Sequence, residues 1–89
     1  MKTTLKINVN QFCKLYEVPN AFVTNLIEYK LIEPIEDGGE LYIIENQLQH
    51  VERYMRLHYD LNINFEGLDV INNLLLKINQ LEQELNKLK

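Results

Sequence analysis

Few residues of this 89-residue chain have the types and spacing that catalysis or ligand chemistry needs. His50 and His58 stand two turns apart in a stretch with helical periodicity, about 12 Å along a helix axis, and neither has a Cys or second His at ligand spacing. A zinc site is therefore not expected. The single cysteine, Cys13, lies beside Phe12 on an apolar face and reads as a small core residue; a nucleophilic thiolate would want a nearby cation or base. Gly38-Gly39 has neither the G-x-G-x-x-G spacing nor the lysine that phosphate cradling requires, and reads as a turn. The sequence thus predicts no catalytic residue, no metal and no cofactor. Binding is the chemistry that remains.

Charge carries the binding signal. Between Asn10 and Asp69 there are eleven acids against four bases (Lys14, Lys30, Arg53, Arg56), which leaves this body near −7 while the other cations gather at the two ends. Such a field repels nucleic acid and attracts a basic protein surface. A plain solvated acidic surface would give the same count. With 46% hydrophobic and 25% charged residues the composition is that of a globular domain. A chain this short has room for one domain and an appended helix. No apolar run reaches the roughly 18 residues of a membrane span, no secretory signal is visible, and the lone cysteine excludes an internal disulfide. A cytoplasmic protein is expected.

The elements that must position any binding surface follow from periodicity. Thr4 to Val9 alternates apolar and polar residues as a short strand does. Asn8 and Gln11 have capping-box spacing, with Ile7 and Phe12 as the accompanying staple, so a first helix is expected over Val9 to Tyr16, burying Phe12, Leu15 and Tyr16. Glu17-Val18-Pro19 turns the chain into a second helix over Asn20 to Tyr29, because proline is tolerated only where a helix opens. That helix should bury Val23, Leu26 and Ile27 and leave Phe22 exposed, as a partner contact, a dimer contact or an ordinary surface aromatic. Leu31 to Ile35 and Leu41 to Ile44 read as two strands around the Gly38-Gly39 turn, forming a wing. Asn46 and Gln49 repeat the capping-box signature before a third helix running to Tyr59, with Leu48, Val51, Met55 and His58 on its apolar stripe. A fourth helix is expected to start near Phe65.

Phe12 to Pro34 thereby has the layout of a helix-turn-helix, yet its second helix carries no basic residue and has Glu28 near its end. Phosphate binding depends on Lys and Arg releasing counterions, and base reading largely on Arg, Lys, Asn and Gln. The wing tip holds Glu36, Asp37 and Glu40, where phosphate contact would favour cations. A protein partner fits this surface better than DNA. From Ile71 onward, Ile71, Leu74, Ile78, Leu81, Leu85 and Leu88 recur in steps of 3 and 4, an unbroken heptad seam. A parallel pair would match Lys77 with Glu82 and Glu84 with Lys89, an antiparallel pair Lys77 with Glu84. The seam predicts either dimerisation or a helix folded back on the winged domain. Domain boundaries are set accordingly at 1–63 for the winged helix-turn-helix and 64–89 for the C-terminal helix.

The order strand, helix-turn-helix, wing and helix pair ending in a leucine seam resembles the MerR-like winged-helix superfamily. The likeness runs from Phe12 to Leu75 and includes Leu31-Ile32-Glu33 before Pro34, the wing closed by Leu41-Tyr42, and Gly67 within Asn64-Phe65-Glu66-Gly67-Leu68. Within it, the small size, Phe12-Cys13, Arg56-Leu57 and Tyr59-Asp60-Leu61 are more similar to the chaperone-modulator (CbpM) family than to transcription factors. Positions that hold arginine or another base in MerR transcription factors align with Ala21, Thr24 and Glu28 here, and the cysteines of the metal-sensing members are missing. The resemblance implies a mainly α fold: a MerR-like winged helix-turn-helix with a small β wing and a long C-terminal helix. It implies a non-enzymatic protein that binds the J-domain of a DnaJ- or CbpA-like co-chaperone and blocks its contact with a DnaK-type chaperone. A J-domain presents a basic helix, which an acidic surface complements. With the charge map, this nominates Glu36, Asp37 and Glu40 on the wing, Glu52 and Tyr59 on the third helix, and Asp60 and Glu66 at the turn after it. A small DNA-binding MerR-type regulator is the alternative, with Lys2, Lys6, Lys14, Lys30, Arg53 and Arg56 touching phosphates.

Overall fold

The computed structural model describes residues 5–88. Strand β1 (Lys6–Asn8) leads straight into α1 (Val9–Leu15), because the Asn8 side chain turns back and accepts from the backbone N–H of Asn10 at 2.8 Å and Gln11 at 3.4 Å. That is the accepting half of the expected capping box. Thr4, expected to open the strand, lies outside the described residues, as do Lys2 and Lys89. Helix α1 ends in a left-handed residue, Glu17 (φ 55), with Val18 N–H donating to Cys13 C=O at 3.0 Å and Glu17 N–H to Lys14 C=O at 3.4 Å. This is a Schellman closure. Helix α2 (Asn20–Glu28) closes in the same way on Lys30 (φ 58), with Leu31 N–H bonded to Leu26 C=O at 2.9 Å.

The wing is a two-residue hairpin. Strands β2 (Ile35–Asp37) and β3 (Glu40–Ile44) pair antiparallel with Asp37 opposite Glu40, and Gly38 (φ 61) and Gly39 (φ 80) take the two positive φ values of a type I′ turn. β1 pairs with the other edge of β3, giving the order β1-β3-β2. The expected first wing strand over Leu31 to Ile35 is corrected. Leu31 and Ile32 are instead buried side chains of the segment leaving α2, and pairing begins only at Ile35. Pro34 has no N–H to give a ladder, so the strand starts after it.

Helix α3 (Glu45–Met55) starts directly on Ile44 without a side-chain cap, which corrects the expected role of Asn46. The Glu45 N–H donates to Leu5 C=O at 2.9 Å, so the residue just before β1 satisfies one of the four N–H groups that the helix start leaves without an intrahelical partner. The helix then widens into one π turn (Arg56–Asp60) before Asn62 (φ 61) reverses the chain. Helix α4 (Phe65–Lys87) is capped by Asn64, whose side chain accepts from Gly67 N–H at 2.8 Å.

The core joins all four α-helices and β3, with Ile7 of β1 and Leu57 of the π turn packed against it. Phe12, Cys13, Phe22, Val23, Leu26, Ile43, Val51, Tyr54 and Leu68 are buried together. Four expectations about it are corrected. Leu15 is 71% exposed and Tyr16 and Ile27 only half-buried, while Phe22, expected outside, is 2% exposed. The Phe22 ring faces His58, Tyr59 and Phe65 at 5.4 to 5.9 Å between centroids, an aromatic cluster assembled by the π turn and the first turn of α4. His58 is locked there: its ring stacks on Phe65 at 4.6 Å and its Nδ1 stands 2.8 Å from Ile63 C=O, so Nδ1–H donates.

Candidate partner-binding surface

The outward face of α2 carries Ala21, Thr24 and Glu28, all exposed. Between this helix and the wing lies a cleft of about 390 Å³ edged by Asn8, Asn10, Asn20, Thr24 and Glu40. Its amides are bonded to each other and to the acid: Asn20 Nδ2 donates to Asn10 Oδ1 at 2.7 Å, and Asn8 Nδ2 to Glu40 Oε2 at 2.8 Å. No cation lines it. The cations available for phosphate are spread over separate elements: Lys6 on β1, Lys14 on α1, Lys30 beyond α2, Arg53 on α3 and Arg56 in the π turn. Lys6 is already engaged, 2.6 Å from Asp37 and 4.4 Å from the centre of the Tyr42 ring.

The seven nominated partner residues fall into three groups. The wing holds Glu36, Asp37 and Glu40. There the Lys6 ammonium bonded to Asp37 holds that carboxyl below the usual range, and Glu40 accepts from Asn8 and, at 3.4 Å, from the Tyr42 hydroxyl. Glu66 stands in the first turn of α4, where the Tyr29 hydroxyl donates to it at 2.6 Å and keeps its carboxyl low. An acid in a first turn also complements the helix dipole. Both local partners give Glu66 a role inside the chain. Glu52, Tyr59 and Asp60 form the third group, around the junction of α3 and the π turn.

Two of this third group, Tyr59 and Asp60, line a groove that no sequence pattern announces. About 310 Å³ in volume, it lies between the α1–α2 turn and the π turn, with Tyr16, Val18 and Pro19 on one side and Met55, Tyr59 and Asp60 on the other. The Tyr16 ring is held by stacking on Phe12 at 4.3 Å, and its hydroxyl donates to Glu52 at 3.2 Å. Burial first, then the Glu52 charge and that bond, push the Tyr16 phenol up. Tyr59 is pinned by Phe22 behind it yet remains 49% exposed. Tyr16, Glu17, Val18, Pro19, Met55 and Arg56 were not nominated. Their juxtaposition depends on how two turns pack, and no spacing along the chain signals that.

Cys13 is buried with its Sγ 3.9 Å from Pro19 C=O, and burial pushes its thiol up, away from the thiolate a nucleophile needs. Among the described residues no group of three His, Cys, Asp or Glu side chains is arranged to hold a metal ion, and no helix is long and apolar enough to cross a membrane.

Helix α4 leaves the body after its first turns. Leu68 is fully buried, and Tyr54, itself buried, reaches Asn72 Oδ1 with its hydroxyl at 3.1 Å. Beyond that tether the seam is open: Leu74, Ile78, Leu81, Leu85 and Leu88 are 50 to 85% exposed. The helix does not fold back on the winged domain. Leu75 (38%) and Leu76 (53%), off the seam, are also exposed.

The family model for MerR HTH family regulatory proteins matches residues 7–89. Among curated relatives, a chaperone modulatory protein CbpM of Pseudomonas putida strain F1 is 28% identical over 92 residues, covering the whole of this chain and 91% of the relative. The protein of the same name in strain KT2440 is 27% identical over the same coverage. Winged fold, cation-free second helix and full-length match agree: the chain belongs to the MerR HTH regulatory family, on its chaperone-modulator (CbpM) side.

Proposed function

We propose that this chain is a non-enzymatic chaperone modulator that binds the J-domain of a DnaJ- or CbpA-like co-chaperone in the cytoplasm and inhibits it by occlusion. The observation that carries the reading is the second helix of the helix-turn-helix. Its outward face is Ala21, Thr24 and Glu28, on a body near −7, and its full-length relatives are named chaperone modulatory proteins. A basic helix on the partner supplies the complementary charge, and contact with one face of the J-domain denies that face to the larger chaperone. Division at residue 63 gives the chain a binding body and a dimerising arm. In the dimer the seam from Ile71 to Leu88 pairs with a second copy, removing from water the leucines that the single chain leaves exposed.

Calorimetric titration against a purified J-domain at two salt concentrations tests this. Saturable binding at micromolar Kd or tighter, weaker at high salt, is expected, because exposed charges are screened over about 10 Å at 0.1 M. Absence of binding refutes it. The family match keeps one competitor in view, a DNA-binding regulator, and retention on a random duplex at low salt would favour that instead.

A further inference from the structure

The three acidic groups differ in what they already do inside the chain. On the wing Asp37 is taken by Lys6 and Glu40 by Asn8 and Tyr42, which leaves Glu36 as the one wing acid without such a bond among the described residues, and Glu66 is taken by Tyr29. At the groove between the α1–α2 turn and the π turn, Glu17 and Asp60 make no side-chain hydrogen bond or ion pair among the described residues, and both are exposed at its rim. Glu52 stands behind them, holding the Tyr16 hydroxyl. The same groove is lined by two tyrosines and by the apolar side chains of Val18, Pro19 and Met55.

This combination has a specific complement. A Lys or Arg side chain has an apolar stem and a charged head. It gains most where the stem lies on apolar surface and the head meets both aromatic faces and carboxylates. We propose that this groove is the anchor site for a single lysine or arginine side chain projecting from a basic helix of the partner protein. The stem lies along Met55 and Val18, and the head sits between the Tyr16 and Tyr59 rings, facing Glu17 and Asp60. The wing acids then contribute only long-range attraction. This rests on the reading that the partner is a basic protein surface, and it selects one of the three acidic groups as the contact.

The groove has an internal competitor, which makes the idea testable in two directions. Arg56 lines the same rim and repels an incoming cation. The two acids are also badly placed for folding. Glu17 holds a left-handed backbone (φ 55) just past the C-terminus of α1, and Asp60 ends the π turn, where negative charge opposes the helix dipole. Replacing either with lysine relieves the dipole, and Lys30 already adopts the conformation of Glu17 at the end of α2. Charge reversal at these positions is therefore expected to leave the fold intact.

The experiment is calorimetric titration of the full chain and its variants against a purified J-domain. Glu17→Lys and Asp60→Lys should each weaken binding about tenfold or more, since juxtaposed like charges cost several kcal/mol. Arg56→Gln should tighten it severalfold, and Glu36→Lys on the wing should change it by no more than about threefold, as a rim charge does. Wild type that binds while Glu17→Lys and Asp60→Lys bind equally well overturns the anchor and leaves the partner reading standing. Wild type that does not bind refutes the partner reading. The groove is then decided by nuclear magnetic resonance titration with an amphipathic leucine–lysine helical peptide. Shifts confined to the amides around Tyr16, Met55 and Tyr59 support it, and their absence overturns it.

Discussion

Replacing Phe22 with alanine is the sharpest test of how this chain folds. On a helix wheel Phe22 lies at the edge of the face set by Val23, Leu26 and Ile27 and is expected outside, yet its ring is 2% exposed and faces His58, Tyr59 and Phe65. Were the ring on the surface, the substitution would change stability by no more than about 0.5 kcal/mol. Buried as it is, Phe22→Ala should cost about 3–5 kcal/mol, the transfer free energy of the ring plus the cavity left behind. Aromatic pairs contribute about 0.5–1.5 kcal/mol each beyond burial, so Phe22→Leu should recover much but not all of the loss. Stability of a domain this size is about 4–13 kcal/mol, and each kcal/mol lost lowers Tm by about 4–8 °C. Phe22→Ala should therefore fall by more than about 12 °C. The assay is urea and thermal unfolding followed by far-ultraviolet circular dichroism at one fixed protein concentration, because dimerisation would make Tm concentration-dependent. An unchanged urea midpoint would refute the packing of the π turn and α4 against α2.

Three further outcomes are expected. Ile78→Asp with Leu81→Asp should weaken self-association more than tenfold in sedimentation velocity, because a buried leucine or isoleucine contributes about 1.5–3 kcal/mol; the body should keep its fold, since both side chains are at least half exposed in the single chain. Gly67→Ala should destabilise by about 1 kcal/mol despite the better helix propensity of alanine, because its Cβ would sit 2.7 Å from Ile63 Cγ2 and 3.1 Å from the capping Asn64 Oδ1; thermal unfolding checks it. Acid should weaken the fold through Asp37 and Glu66, whose folded-state carboxyls are held below their ordinary values by Lys6 and Tyr29. The stability they contribute is fully present above the unfolded pKa of about 4, and is lost as pH falls through the lower folded values. Tyr29→Phe should accordingly lower Tm more at pH 6 than in acid, where Glu66 is protonated in both states.

Most elements and their order are legible in local residue patterns, the π turn and the start of the first wing strand excepted. Apolar residues at strand and helix spacing, Pro19 at a helix opening and the two glycines of the wing act within a few residues, so their outcome is local and readable. The absence of cations on α2 was legible for the same reason, since a charge is visible whatever packs around it. Tertiary structure decided which side chains are inside. Phe22 is inside because the π turn sets His58 and Tyr59 against it and the start of α4 adds Phe65, whereas Leu15 is left exposed. A change of helical pitch late in α3 leaves no mark in the periodicity of α1 or α2. It also decided that the Glu45 N–H at the start of α3 is satisfied by the carbonyl of Leu5, forty residues earlier in the chain. The groove between Tyr16 and Tyr59 belongs to the same category. Its walls come from two turns far apart in the chain, and only the packing of a common core sets the distance between them.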